Sequence, residues 1–269
     1  MLKNLIFLTL PLILSAIKFC ADEKCVIKKG NRIAGPGGIV SRRHSRPFQV
    51  ALYSRVGTTG AVGFCGGSLI HPQWVLTAAH CCYHDSQEVD NVQAILGAHS
   101  LYDRYESGRR IVNVDTIVVH PEYDPETVAN DLALLRLANV MQLTSMSRLC
   151  GASAARTSIE FVVCSNCITV HTINVIRLPY LSQVTANFAG QRGEASGWGI
   201  AAEGVTFVSP TLREFYMTVL TDAQCGNTYL DQLPANVICG YNEDSGTCKG
   251  DNGGPLTLFW NDTEEILFW

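Results

Sequence analysis

The chain has 269 residues, 47% of them hydrophobic, with 11 cysteines and a formal net charge of −4. That is enough apolar material for one large domain or two small ones. The acidic balance lacks the basic footprint of nucleic-acid binders, so no nucleic-acid partner is expected. Abundant cysteine suits an oxidising compartment, and the odd count leaves at least one thiol unpaired in a monomer, the expected state.

The N-terminus, MLKNLIFLTLPLILSAIKFC, sets Lys3 before an apolar run from Leu5 to Ile17. The run is short for a bilayer and has the form of a secretory signal. Residues 1–20 are expected to be a signal peptide, cut somewhere between Ala16 and Ala21, and 21–32 a short propeptide. The mature chain is then secreted, extracellular and free of membrane. The basic cluster RRHSR, Arg42 to Arg46, reads as a solvated loop, with a second processing site as the alternative. Next come short runs rich in β-branched and aromatic residues, bounded by turn residues. They are FQVALYS from Phe48, WVLTAAH from Trp74, RIVNVDTIVVH from Arg110, DLALLRLA from Asp131 and REFYMTVL from Arg213. Many short strands without helical periodicity predict an all-β sandwich or barrel.

Residues 144–172 break this texture with three cysteines, including the pair Cys164-x-x-Cys167. No second pair sits at a suitable spacing, so no metal site is expected. A structureless loop of that length is uncommon inside a compact domain. A retained intron and a genuine surface insertion both explain it. GDNGGP, residues 250–255, can be neither helix nor plain strand; it predicts a tight loop whose backbone approaches something closely. The sequon NDT at Asn261 would be a surface glycosylation site in a secreted chain.

Three stretches stand out together: TAAHC (Thr77 to Cys81), NDLALLRL (Asn130 to Leu137) and CKGDNGGP (Cys248 to Pro255). With CGGSLI from Cys65, SGWG from Ser196 and RIAG from Arg32, they resemble the chymotrypsin-like serine proteases over most of residues 33–269. The resemblance implies an all-β fold of two packed six-stranded antiparallel β-barrels. The second is expected to be truncated, because the chain stops at Trp269, before the family's last strand and terminal helix. The domain would span 33–269, interrupted by the atypical insert at about 144–172.

The resemblance also assigns roles. His80 would be the general base and Asp131 the group that orients it. The backbone N–H groups of Gly250 and Asn252 would form the oxyanion hole. Gly246 and Thr247 fall at the substrate pocket, where no Asp awaits a Lys or Arg side chain, so a trypsin-like preference is disfavoured. That pattern is similar to chymotrypsin-like and collagenolytic members from arthropods. Cleavage after Arg32 would free Ile33 to pair with Asp251, although Pro36 stands where the family usually has Gly. Cys65 would pair with Cys81 and Cys225 with Cys239, while Cys248 would lack the later cysteine it usually bridges. No cofactor or metal is implied, and the partners would be a protein or peptide substrate or another protease.

One substitution governs the functional expectation. The family has Ser where this chain has Asn252. An amide nitrogen is delocalised and has no proton that His80 could usefully remove, so it cannot form an acyl-enzyme. Losing the nucleophile of such a triad costs on the order of 10⁶ in turnover. The first reading is a secreted homologue without peptidase activity, acting by binding. The alternative is an active secreted endopeptidase whose recorded sequence is faulty at 252, at 144–172 and at the C-terminus. A third is a decayed gene whose product does not fold stably.

Overall fold

In the computed structural model, residues 27–29, 32–34 and 38–268 are described, except 58–59, 85–86, 145–146, 150–167, 171, 181–182, 184–185, 203, 230–236, 244 and 261–263. The expected signal peptide, Pro36, Cys164-x-x-Cys167 and Asn261 lie outside them. Two short strands, β1 (Ile27–Lys29) and β2 (Arg32–Ala34), pair as an antiparallel hairpin. β3 (Ile39–Val40) follows, then β4 (Gln49–Arg55), β5 (Val62–His71) and β6 (Trp74–Thr77). A small hairpin of β7 (Tyr83–His84) and β8 (Gln87–Glu88) precedes β9 (Asn91–Leu96), β10 (Arg110–Val119) and β11 (Ala133–Leu137).

β10, β11, β6, β5, β4 and β9 close into a six-stranded antiparallel barrel. Strand side chains alternate between faces, so each barrel strand lines the interior with every second residue. In β4 these are Val50 and Leu52. They join Leu69, Val75, Leu96, Leu135 and Leu137 in a buried core. Closure removes the exposed edges that an open sheet would present.

β12 (Ser147–Leu149) and β13 (Ile168–Val170) pair within the 144–172 segment. The segment is also closed at its base. Thr144 donates its backbone N–H to the Ile173 carbonyl, and its Oγ1 accepts from the backbone N–H groups of Thr172 and Ile173. The insert therefore leaves and rejoins the body at one place.

The second half contains β14 (Arg192–Gly197), β15 (Arg213–Val219), helix α1 (Asp222–Tyr229), β16 (Gly240–Tyr241), β17 (Leu256–Trp260) and β18 (Glu264–Phe268). Its sheet runs β16-β15-β14-β17-β18, with β3 also pairing β15. Among the described residues this sheet is open, with β16 and β18 at its ends, where a truncated second barrel was expected. Its apolar face buries Ala195, Phe215, Met217 and Leu256, with Phe188, Leu258, Ile266 and Phe268 beside them. The two halves share apolar seams. Leu267 packs with Phe48, Trp74, Leu76 and Leu134 of the barrel side, and Trp198 and Leu212 pack with Ala51 and Ile95.

Of the cluster Arg42 to Arg46, Arg42 and Arg43 are exposed as a solvated loop would be, and the far end corrects that expectation. Arg46 is largely buried and ion-paired to Glu194, with Glu214 at 3.6 Å and Glu265 at 3.5 Å. Arg43 pairs with the buried Glu106 at 2.7 Å. A buried guanidinium needs such partners, because an unpaired buried charge costs several kcal/mol.

Candidate active site

β6 runs fully buried into a single 3₁₀ turn, Ala79–Cys82. The turn is pinned by the Cys65–Cys81 disulfide, which ties it back to β5. His80 therefore sits at the end of a core strand on a stapled turn, with its side chain 39% exposed. Asp131 lies two residues before β11, the neighbour of β6, and Ala133 pairs with Thr77. Adjacent antiparallel strands thus bring together two residues 51 positions apart.

The Asp131 carboxylate grips His80 twice. Oδ1 accepts from the His80 backbone N–H at 2.8 Å, and Oδ2 accepts from Nδ1 at 2.7 Å. With its proton on Nδ1, a neutral imidazole presents Nε2 as an acceptor. The local backbone is bent to allow this. Asn130 has φ 53°, and its side-chain amide donates to the Glu122 carbonyl at 2.9 Å. Asn tolerates this left-handed conformation better than most residues.

The GDNGGP loop packs onto the same place, as its composition predicts. The Asn252 carbonyl accepts from the Gly66 N–H at 2.7 Å, and Thr77 Oγ1 donates to the Gly66 carbonyl at 2.8 Å. Gly253 has φ 75°, and a Cβ there would lie 2.3 Å from Thr77 Oγ1 and 2.8 Å from the Gly66 carbonyl oxygen. Only glycine fits. The loop thus seats on β5 and β6 by direct backbone contact. Cys81 Sγ links the two sides, lying 3.7 Å from His80 Nε2 and 3.8 Å from the Asn252 carbonyl oxygen. Asn252 is partly exposed and its side-chain amide bonds no described residue. The N–H groups of Gly250 and Asn252 likewise donate to no described residue, and Gly250 has φ 101°.

Asp251 points the other way, into the second half. Its carboxylate accepts from the Gly199 N–H at 2.7 Å and the Cys248 N–H at 3.0 Å. It lies so close to Gly197 and Gly199 that a Cβ on either would collide with it. Burial of the carboxyl raises its pKa to about 6, against the lowering effect of those two hydrogen bonds. The residue as a whole keeps some exposure, but the carboxyl itself is enclosed. Gly246, with Asp251, Gly197 and Gly199, lines a cavity of only about 10 Å³; Thr247 does not. Ile33 is far along the chain, inside the β1–β2 hairpin, its backbone paired with Lys28. The Arg32–Ile33 bond therefore lies within a paired strand in the uncleaved chain.

Cys225 and Cys239 are disulfide-bonded. Cys248 is disulfide-bonded as well, its partner lying outside the described residues. Cys82 is free and buried next to the site, with its thiol pushed up to about 12, chiefly by burial and then by the charge of Asp131. Cys65, His80 and Cys81 cluster as three metal-ligand types do, but two of them form the disulfide, so they offer no thiolates.

The family model for trypsin matches residues 36–263. The chain belongs to the trypsin family. Relatives from different sources agree. The chain is 29% identical to chymotrypsin of Phaedon cochleariae over 215 residues, 80% of this chain and 66% of that protein. Granzyme M of Homo sapiens is 32% identical over 232 residues, 84% of this chain and 74% of the relative. Brachyurin of Leptuca pugilator is 28% identical over 220 residues, 82% of this chain and 80% of the relative. These near-equal identities favour no one branch of the family. A largely all-β chain with a closed six-stranded barrel is the fold that chymotrypsin-like membership implies.

Proposed function

We propose that this chain is a secreted chymotrypsin-like serine protease homologue that does not hydrolyse peptide bonds and acts by binding a protein or peptide. The observation that carries this is Asn252 at the head of the loop seated against the His80 turn. In this reading His80 and Asp131 form a base and its orienting carboxylate that lack a hydroxyl to activate. Gly250 and Asn252 supply the oxyanion-hole donors, and Gly246 and Thr247 border the substrate pocket. Cleavage after Arg32 would release the Ile33 amine to pair with Asp251.

The test is covalent capture. The full chain, cleaved after Arg32, is treated with a peptidyl phosphonate, which phosphonylates an activated serine hydroxyl. No adduct is expected on residues 250–255 of the native sequence, and one adduct is expected at position 252 of the Asn252→Ser variant. An adduct formed equally without the substitution would refute the proposal. A second reading, an active endopeptidase with Ser at this position, is favoured by the two-point Asp131 grip on His80. Sequencing codon 252 in the native transcript separates the two.

A further inference from the structure

A groove of about 860 Å³ crosses the barrel wall and includes none of His80, Asp131 or Asn252. Its floor is the outward face of β4, β9 and β10. Val50 and Leu52 point into the barrel, so the alternation of β4 turns Tyr53 and Arg55 outward. Tyr53 pairs across to Gln93, which pairs on to Asn113, and Arg55 pairs with Asn91. The wall is the 101–109 loop, which brings Tyr102, Arg104 and Arg109 to the groove.

The charge of this surface is one-sided. Among the described residues three arginines line it and no carboxylate does, in a chain whose net charge is −4. The side chains of Arg55 and Arg104 are exposed and make no hydrogen bond or ion pair among the described residues. Arg109 donates Nη1 to the Ser100 carbonyl at 2.8 Å, yet its buried Nε has no partner. Two acids share the wall loop without lining the groove: exposed Asp103 accepts from the Tyr105 N–H, and buried Glu106 holds Arg43; Asp90 accepts from the Gly57 N–H. Glu106 also accepts from the His99 and Ser100 N–H groups, so the wall is anchored in place.

From this we infer that the groove is a docking site for an acidic peptide segment of a protein partner. Guanidinium groups pair bidentately with carboxylates. The tyrosine faces and the exposed Ile111 at the groove give apolar surface for side chains between the acids. The volume is in the range of sites that enclose a few residues. A sulfated polysaccharide would use the charge but not the aromatic and aliphatic surface. Because the groove stands apart from the candidate active site, its occupancy is measurable whether or not the chain hydrolyses peptides.

The probe is the fluorescein-labelled peptide E-L-D-E-F-E-D-L, followed by fluorescence anisotropy against the full chain. Saturable binding is expected, weakening as salt rises. Replacing its acids by Gln and Asn should abolish it. The paired substitution Arg55→Glu and Arg104→Glu should weaken it at least about tenfold by charge reversal. Neither side chain bonds a described residue, so an unchanged thermal transition is expected, and Arg55→Gln with Arg104→Gln serves as a milder pair. No binding, or binding undiminished in both pairs, overturns the inference. So does heparin binding that depends on these arginines while the peptide fails, since that points to a polysaccharide.

Discussion

At residue 252 the proposed function turns on the difference between a hydroxyl and an amide. In the proposed reading His80 Nε2 is the proton acceptor, but a carboxamide offers it no usable proton. Its neighbour Asp251 gives a separate signature. The carboxyl is raised from 3.8 to about 6 by burial, so the folded chain keeps its proton where the unfolded chain has lost it. Its contribution to stability is full below about pH 3.8 and falls as pH rises to about 6, by roughly 3 kcal/mol. Asp251→Asn should remove that slope, read as the pH dependence of urea unfolding relative to the unaltered chain. If Ile33 reaches Asp251 after cleavage, the cleaved form should lose the slope too. Cys82 gives a third residue-level outcome. Its buried thiol, near 12, should resist iodoacetamide at pH 8 in the native state and react once the chain unfolds. Native-state labelling at position 82 would contradict the buried placement.

At the scale of elements, the strands were legible because alternation and β-branched residues mark them locally. FQVALYS, WVLTAAH and REFYMTVL carry β4, β6 and β15. The GDNGGP loop was legible through its glycines, and the structure supplies the reason. Gly253→Ala should lower stability by about 2 kcal/mol or more, combining steric overlap with a positive φ. A melting temperature equal to that of the unaltered chain would refute the close seating. Helix α1 was missed, although its start carries a signal. Thr221 and Gln224 form a capping box, with Gln224 N–H donating to Thr221 Oγ1 at 3.2 Å and Thr221 N–H to Gln224 Oε1 at 2.9 Å. Eight residues with no apolar stripe leave little else to read. The pairing of β12 with β13 was also hidden, because 144–172 has no strong alternation.

At the scale of the molecule, the sequence reading failed where distant residues meet. Arg46 looked like part of an exposed basic run, yet its partners come from β14, β15 and β18, up to 219 residues away. Nothing in the local pattern encodes such a meeting. Arg46→Ala should destabilise by about 3–5 kcal/mol, since three carboxylates would lose their common counter-ion. A loss under 1 kcal/mol in urea unfolding would show that the cluster is wetter than its burial implies. The pairing of His80 with Asp131 was anticipated only through the family resemblance, because no local pattern joins residues 51 positions apart. The central claim is that the His80, Asp131 and loop framework is assembled and lacks only its nucleophile. The measurement that tests it most directly is steady-state hydrolysis of a chromogenic peptide by the chain cleaved after Arg32, with Asn or Ser at position 252. The account predicts no hydrolysis above the buffer rate with Asn252 and clear turnover for Asn252→Ser; equal hydrolysis by both, or none by either, would contradict it.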